Sequence, residues 1–128
     1  MSYYIHKQVS TDFEETISAV TVALQQEGFG ILTEIDVKAT LKKKLDVDFR
    51  NYRILGACNP PFAYQALQAE EYIGTMLPCN VIVQEDKEGA VHVAAVDPLA
   101  SMQAVDNPAL QGIAQEIRDR LARVVKSL

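Results

Sequence analysis

The sequence contains few of the side chains that hold metals or form disulfides. Among its 128 residues there are two cysteines and two histidines, and neither pair has the C-x-x-C or H-x-x-x-H spacing of a zinc site. A chain of this length buries roughly two-thirds of its unfolded surface, so it can fold without a metal or a disulfide. We therefore expect no resident metal and no cofactor.

Long apolar runs are also lacking. No stretch approaches the roughly 20 apolar residues that cross a bilayer. The first residues, MSYYIHKQV, do not show the basic segment and apolar core of a secretory signal. We expect no membrane association and a cytoplasmic location, where thiols are mostly reduced.

Positive charge is scarce as well. The formal net charge is −5 and the pI is about 4.9, which argues against nucleic-acid binding, because that needs lysines and arginines to neutralise phosphates. The one basic cluster, Lys38 with Lys42, Lys43 and Lys44, is best interpreted as the solvated face of a short helix. A local anion site is the alternative interpretation.

Familiar catalytic motifs are absent. The sequence has no G-x-S-x-G, no Walker loop and no Rossmann fingerprint. The acidic pairs Glu14–Glu15, Glu70–Glu71 and Asp86–Glu88 are interpreted as solvated charges on helix surfaces or in a turn. The sequence therefore leaves open whether the protein is an enzyme.

The hydrophobic pattern predicts one α+β domain over residues 1–128. Alternating stretches such as YYIHKQV and CNVIVQE are typical of strands, and STDFEETISAVTVALQQEGFG is typical of an amphipathic helix. The predicted order is β-α-β-α-β-α-β-β-α-α. The last two strands form a hairpin around DKEG, which does not fit strict βαβ alternation. We therefore predict a mainly antiparallel sheet of about five strands, with helices packed on one face.

Capping residues set the predicted helix ends. Thr11 with Glu14 fits a capping box, and Gly28 fits the left-handed position after the first helix. The predicted N-caps of three later helices are Asp36, Asn59 and Asn107. The predicted apolar stripes comprise Phe13, Ile17, Val20 and Leu24 in the first helix, Val37, Leu41 and Leu45 in the second, and Leu110, Ile113, Ala114, Ile117, Leu121, Val124 and Val125 in the last.

The two cysteines occur in similar segments, ILGACNPPFAYQAL and TMLPCNVIVQE. Cys58 ends the third predicted strand and Cys79 begins the fourth. If these strands are antiparallel neighbours, both thiols lie at one rim of the sheet. Strand alternation predicts that both point toward the apolar layer and that His6 and His92 lie on the opposite face.

Three interpretations of the thiols are open. They are small packing residues, since free cysteine is among the most buried residue types. Alternatively, Cys58 is a nucleophile whose thiolate is favoured by the following helix N-terminus, and Cys79 is the resolving thiol. The third interpretation is transient metal handling by both thiolates.

Aromatic side chains point to a further surface. Tyr4, Tyr52 and His6 are predicted to share the sheet face that the helices leave open. An exposed aromatic and apolar face often marks an interface or a ligand groove. We therefore expect this face to support a homodimer.

Three segments together, EGFGILTEIDVKATLKKKLD, YRILGACNPPFAYQAL and LPCNVIVQE, resemble the domain-of-unknown-function 302 family. In that family a G-F-G-[IV]-L strand entry, an acidic residue before a Lys-rich helix, a C-N-P segment and an L-P-C-N segment recur in this order. The resemblance covers nearly the whole chain. It implies a compact α+β fold and self-association, implies no reaction, and favours one site built from the two Cys-Asn segments.

The predicted function is therefore a small binding or interaction domain, homodimeric, with a small-ligand pocket near the cysteines. The candidate ligand-binding residues are Cys58, Asn59, Cys79 and Asn80. Cys58 and Cys79 are also the candidate catalytic residues if the protein is a thiol-dependent enzyme or redox protein. Transient metal handling is the remaining alternative.

Overall fold

The computed structural model describes residues 2–128. The helices and strands follow in the predicted order, which is confirmed. They are β1 (Tyr4–Val9), α1 (Phe13–Gln26), β2 (Gly30–Asp36), α2 (Val37–Leu45), β3 (Tyr52–Cys58), α3 (Pro60–Ala69), β4 (Cys79–Glu85), β5 (Val91–Val96), α4 (Pro98–Ser101) and α5 (Ala109–Lys126). A short 3-10 helix that was not predicted, Ile73–Met76, connects α3 to β4.

The five strands form one sheet in the spatial order β1-β5-β4-β3-β2. Every neighbouring pair is antiparallel, which confirms the predicted sheet. The tight turn between β4 and β5 contains Gly89 at a φ of 84°, a backbone conformation that glycine adopts without strain. In the edge strand β2 the register shifts between Ile31 and Thr33, so Leu32 bulges out of the ladder.

The main core lies between one face of the sheet and the helices α1 and α5. Inward-facing strand residues are nearly inaccessible to solvent and pack against the apolar stripes of the two helices. Burying each such side chain contributes about 1.5–3 kcal/mol. The core includes Val20, Leu24, Leu55, Val81, Val83, Val93, Ala95, Leu121 and Val124.

The second helix differs from its prediction. Helix α2 has no buried residue, and Leu45, expected in an apolar stripe, is 66% exposed. The physical reason is its place beside β2 and β3 at the edge of the sheet, where no second layer covers it. Its N-cap is as predicted, because the Asp36 carboxylate accepts the backbone N–H of Ala39 at 2.9 Å.

The start of α1 is one residue later than the predicted capping box. Asp12 is the N-cap, and its Oδ1 accepts the backbone N–H of Glu15 at 2.8 Å. The Thr11 hydroxyl instead hydrogen-bonds the Thr16 hydroxyl at 2.7 Å. Gly28 has a φ of 87°, which confirms its predicted left-handed position after the helix.

No helix among residues 2–128 is both long enough and apolar enough to span a membrane.

Candidate functional site

The rim of the sheet near the two cysteines borders an apolar cavity. Strands β3 and β4 are antiparallel neighbours, with Ala57 directly opposite Cys79, so the strand pairing required for a shared thiol rim is confirmed. A cavity of about 280 Å³ opens beyond this rim and is enclosed by α3 and α5. Cys58, Asn59 and Cys79 all border it, and the rest of its lining is almost entirely carbon.

The cavity has a buried floor and an exposed mouth. Phe29 and Ala66 line the floor and are almost inaccessible to solvent. Leu32 and Leu67 also line the cavity but are 67% and 47% exposed, so they lie at its mouth. The bulge in β2 displaces Leu32 from the ladder at this point. The arrangement is a pocket that reaches solvent past two leucine side chains.

Cys79 is a buried, neutral thiol. Its side chain faces the core with Val81 and Val83, and the residue is only 9% exposed. Burial, together with the nearby Cys58, raises the pKa of Cys79 to about 11. Both cysteines are free thiols. At neutral pH Cys79 is therefore a small apolar group with a weak S–H donor.

Cys58 does not share the face of Cys79. It follows Ala57, which lies opposite Cys79, so strand alternation puts Cys58 on the other side of the sheet. The expectation that both thiols point into the apolar layer is therefore wrong for Cys58, which is half-buried. Cys58 still borders the cavity, because the chain turns there from β3 into α3.

Asn59 is buried at the first turn of α3 but does not cap it through its side chain. Its Nδ2 instead donates to the backbone carbonyl of Glu27 at 3.3 Å. The same carbonyl accepts from Arg120 Nη1 at 3.0 Å. Asn59 therefore occupies the predicted N-cap position of α3, but its side chain makes no capping hydrogen bond, because the free carbonyl after the end of α1 offers the amide an alternative partner.

Asn80 lies away from the cavity. It is opposite Gly56 in the sheet, on the face that α1 and α5 leave open, and it is exposed. The four candidate ligand-binding residues are therefore divided: three border the cavity, and Asn80 borders a groove on the other face of the sheet.

The open face of the sheet holds the predicted aromatic group. Tyr4, His6 and Tyr52 border one groove of about 550 Å³, so their predicted common face is confirmed. His6 Nε2 and His92 Nδ1 are 2.9 Å apart, and His92 Nε2 is 2.8 Å from Asp86 Oδ2. Asp86 lies in the hairpin turn as predicted, but its carboxylate is half-buried and paired with His92 rather than fully solvated.

No local pattern in the sequence predicts this contact between three residues. His6 lies opposite Ala94 and His92 lies opposite Gln8, so the two histidines are diagonal neighbours on adjacent strands. A contact between diagonal neighbours can be predicted only when the register of the two strands is known. Among residues 2–128, no group of three or more His, Cys, Asp and Glu side chains is arranged to hold a metal ion.

The fold and the cavity define a small α+β domain with an antiparallel five-stranded sheet, a helix layer and an apolar pocket at the sheet rim. The chain belongs to the family described as domain of unknown function DUF302, whose model matches residues 5–128. The resemblance inferred from the three sequence segments is thus confirmed.

A solved structure is similar over almost the whole chain. It is the crystal structure of the uncharacterized conserved protein DUF302 from Bacillus stearothermophilus, which is 32% identical, with 98% of each chain covered and a TM-score of 0.92. None of the curated proteins matches the chain.

Proposed function

We propose that this protein binds a small apolar molecule in the cavity bordered by Cys58 and Cys79. The observation that carries the proposal is the cavity itself, which has a volume of about 280 Å³ and an almost entirely carbon lining. Protein interiors normally contain few voids larger than a water molecule. The side chains that line an apolar void of this size have no atoms to contact on the side that faces the void. A bound ligand would supply those contacts.

The volume indicates the size of the ligand. An engineered apolar cavity of about 150 Å³ in another protein stays dry and binds benzene. The present cavity is about 280 Å³, so it suits a molecule the size of two fused aromatic rings or a short acyl chain. The Cys79 S–H and the Asn59 amide are polar groups at its border.

The thiol-redox alternative has weaker support. A resolving thiol must become a thiolate to react, and burial raises the pKa of Cys79 to about 11. Transient metal handling also requires thiolates. The raised pKa therefore favours the binding function over both alternatives.

Binding of a fluorescent apolar probe tests the proposal. N-phenylnaphthylamine should bind with a rise in fluorescence. Ala63→Leu and Ala66→Leu, which add bulk to the cavity wall, should weaken binding at least about tenfold by occupying the same space. Ala19→Leu makes the same change at an exposed position of α1 and should bind as the wild type does.

Two outcomes would contradict the cavity as a binding site. One is the failure of the wild type to bind N-phenylnaphthylamine, naphthalene and octanol. The other is unchanged binding by a folded Ala63→Leu variant, with folding confirmed by circular dichroism and thermal unfolding.

We also propose that the chain forms a homodimer through the edge of β2 and α2. Large apolar side chains are exposed there, and α2 buries none of its own. The open sheet face, expected from the sequence to be the interface, instead carries hydrogen-bonded polar groups at its centre. The exposed apolar residues of the edge are Leu32, Ile35, Leu45 and Val47.

Sedimentation velocity over a range of concentrations tests the homodimer. Leu45→Glu and Val47→Glu should shift the protein to monomer, because each puts a charge into the proposed interface. Tyr72→Glu is the matched control, since Tyr72 is 74% exposed in the turn before β4. Dissociation by Tyr4→Glu alone would assign the interface to the open sheet face. A wild type that stays monomeric at the highest concentration would exclude self-association.

A cytoplasmic location remains part of the proposal. Both cysteines are free thiols, as is usual for proteins of a reducing compartment.

A further inference from the structure

Three side chains on the open sheet face form a continuous hydrogen-bond chain. Asp86 Oδ2 lies 2.8 Å from His92 Nε2, and His92 Nδ1 lies 2.9 Å from His6 Nε2. The two imidazole rings are nearly parallel, with centroids 5.1 Å apart and an interplanar angle of 21°. The hydrogen-bond chain therefore ends at the Asp86 carboxylate on one side and at the His6 imidazole on the other.

Asp86 fixes the direction of the hydrogen bonds. Its Oδ1 accepts the backbone N–H groups of Glu88 at 3.0 Å and Ala90 at 2.9 Å. The hydrogen bond from His92 and those from the backbone lower the pKa of Asp86, so it is a carboxylate at neutral pH. His92 Nε2 must then be the donor to Asp86.

The remaining protons follow from this assignment. When His92 is neutral, its Nδ1 carries a lone pair and accepts the Nε2–H of His6. The Nδ1 of a neutral His6 then keeps a free lone pair. Within the part of the chain that the structure describes, no side chain or backbone group hydrogen-bonds this atom.

The hydrogen-bonded group of Asp86, His92 and His6 can take up one proton, but not two. A proton added at His6 Nδ1 leaves the bond between the histidines intact, and the positive charge can pass to His92, beside the Asp86 carboxylate. A second proton would place two N–H donors against each other across 2.9 Å. The arrangement thus provides one proton-accepting position.

The groove around this position suits a planar ring with an acidic group. Its walls include the aromatic rings of Tyr3, Tyr4 and Tyr52, and its floor includes Ile82 and Ala94. Tyr4 contacts Tyr3 edge-on with centroids 5.0 Å apart, and lies edge-on to His6 at 6.4 Å. Aromatic walls favour stacked or edge-on aromatic ligands.

A positive charge stands at the same groove. Arg50 Nε donates to Gln84 Oε1 at 3.0 Å, and the Arg50 guanidinium lies 5.4 Å from the ring centroid of Tyr52. Both Gln84 and Tyr52 line the groove. Lys7 of β1 donates to the carbonyls of Lys126 and Leu128 and is not directed at the groove.

We propose that this groove is a second ligand site, at which His6 binds an aromatic carboxylate together with one proton. In the bound state a new N–H bond on His6 Nδ1 donates to the ligand carboxylate. The proton comes from the solvent when the ligand arrives as an anion. When the ligand arrives as the neutral acid, its O–H bond breaks as the N–H bond forms.

The titratable and charged groups that surround His6 are few. Tyr3 and Tyr4 come from the N-terminal end of the chain, His92 from β5, Asp86 from the hairpin, and Tyr52 from β3, with Arg50 just before it. Asp86 is the one carboxylate among them. Proton uptake on binding is therefore expected to depend on His6, His92 and Asp86.

Isothermal titration calorimetry with sodium benzoate tests the proposal. Titrations at pH 8 in buffers of different ionisation enthalpy give the number of protons taken up per ligand. The wild type should show net proton uptake, of at most one proton per ligand. His6→Gln should take up none and bind at least about tenfold more weakly, because a charge-assisted hydrogen bond is lost. Asp86→Asn should reduce both proton uptake and affinity.

Controls separate this site from the cavity and from misfolding. Benzamide has the same ring without the acid, so it should bind without proton uptake and equally to the wild type and His6→Gln. Ala19→Leu, at an exposed position of α1, should behave as the wild type does, and N-phenylnaphthylamine should not compete with benzoate. The proposal is overturned if benzoate does not bind, if it binds without proton uptake, or if a folded His6→Gln variant is unchanged.

Discussion

Cys58 and Cys79 are both followed by asparagine, yet burial gives the two thiols different surroundings. Cys79 faces the core and Cys58 is half-buried at the turn into α3. Withdrawal from water disfavours the thiolate, which is why the pKa of Cys79 rises to about 11. The local sequence therefore does not set the reactivity of these thiols.

The raised pKa of Cys79 predicts a loss of stability at alkaline pH. The unfolded thiol releases its proton around pH 9.0 and the folded thiol around pH 11. Between these values the unfolded state binds fewer protons, so the contribution of Cys79 is fully present below pH 9 and is lost as the pH rises through 11. The expected loss from pH 8 to pH 10 is on the order of 1 kcal/mol.

Urea unfolding at pH 8, 9 and 10 measures this loss. Tyrosines and lysines also titrate there, so the quantity of interest is the free energy of unfolding of the wild type minus that of Cys79→Ala. This difference should fall as the pH rises. A difference that is independent of pH would show that the Cys79 thiol is not shielded from water.

At the scale of the elements, a polar junction joins the end of α1 to α3 and α5. The backbone carbonyl of Glu27 accepts from Asn59 of the α3 N-terminus and from Arg120 of α5. The Glu27 side chain pairs with Arg123, with its Oε1 2.9 Å from Nη2. Three helices that are distant in sequence are thus fixed at one point beside the cavity.

Asn59→Asp is expected to destabilise the protein by about 1–3 kcal/mol, because a buried carboxylate oxygen would then face the Glu27 carbonyl without a donor. Gln68→Glu makes the same chemical change at an exposed position of α3 and serves as the control. Thermal or urea unfolding measures both. Equal stability of the two variants would mean that the Asn59 amide contributes little to the junction.

At the scale of the whole molecule, the sheet order predicts where the structure opens first. Strands β4 and β5 are paired on both sides and lie under α1 and α5, whereas β2 is an edge strand followed by a helix without buried residues. Local opening costs least where few apolar contacts are broken.

Native-state hydrogen exchange measures this hierarchy. Amides of β4 and β5 should exchange only through global unfolding, and those of α2 should exchange at free energies several kcal/mol lower. Similar protection in α2 and β4 would contradict the prediction for the isolated chain. Slower exchange in α2 with increasing protein concentration would instead accompany the proposed homodimer.

Much of the fold could be predicted because its signals are local. The stripe Phe13, Ile17, Val20 and Leu24 is buried as the helical spacing requires, and Asp36 and Gly28 mark helix ends through their own hydrogen bonds or backbone angles. Errors arose where a tertiary partner replaced a local one. The Asn59 side chain, at the N-cap position of α3, bonds the Glu27 carbonyl instead of an N–H of its own helix, and Leu45 has no layer to pack against.

The sequence by itself determined the order of the elements and the identity of most core residues, because periodicity, caps and turns depend on neighbours within a few residues. Only the tertiary structure decided which side chains meet. His6 and His92 are 86 residues apart, and the register between β1 and β5 brings them into contact. Because register is fixed by the packing of the whole sheet on its helices, the histidine contact could not be derived from the sequence alone. The sequence predicted a pocket near the cysteines, but only the tertiary structure decided its volume and its lining.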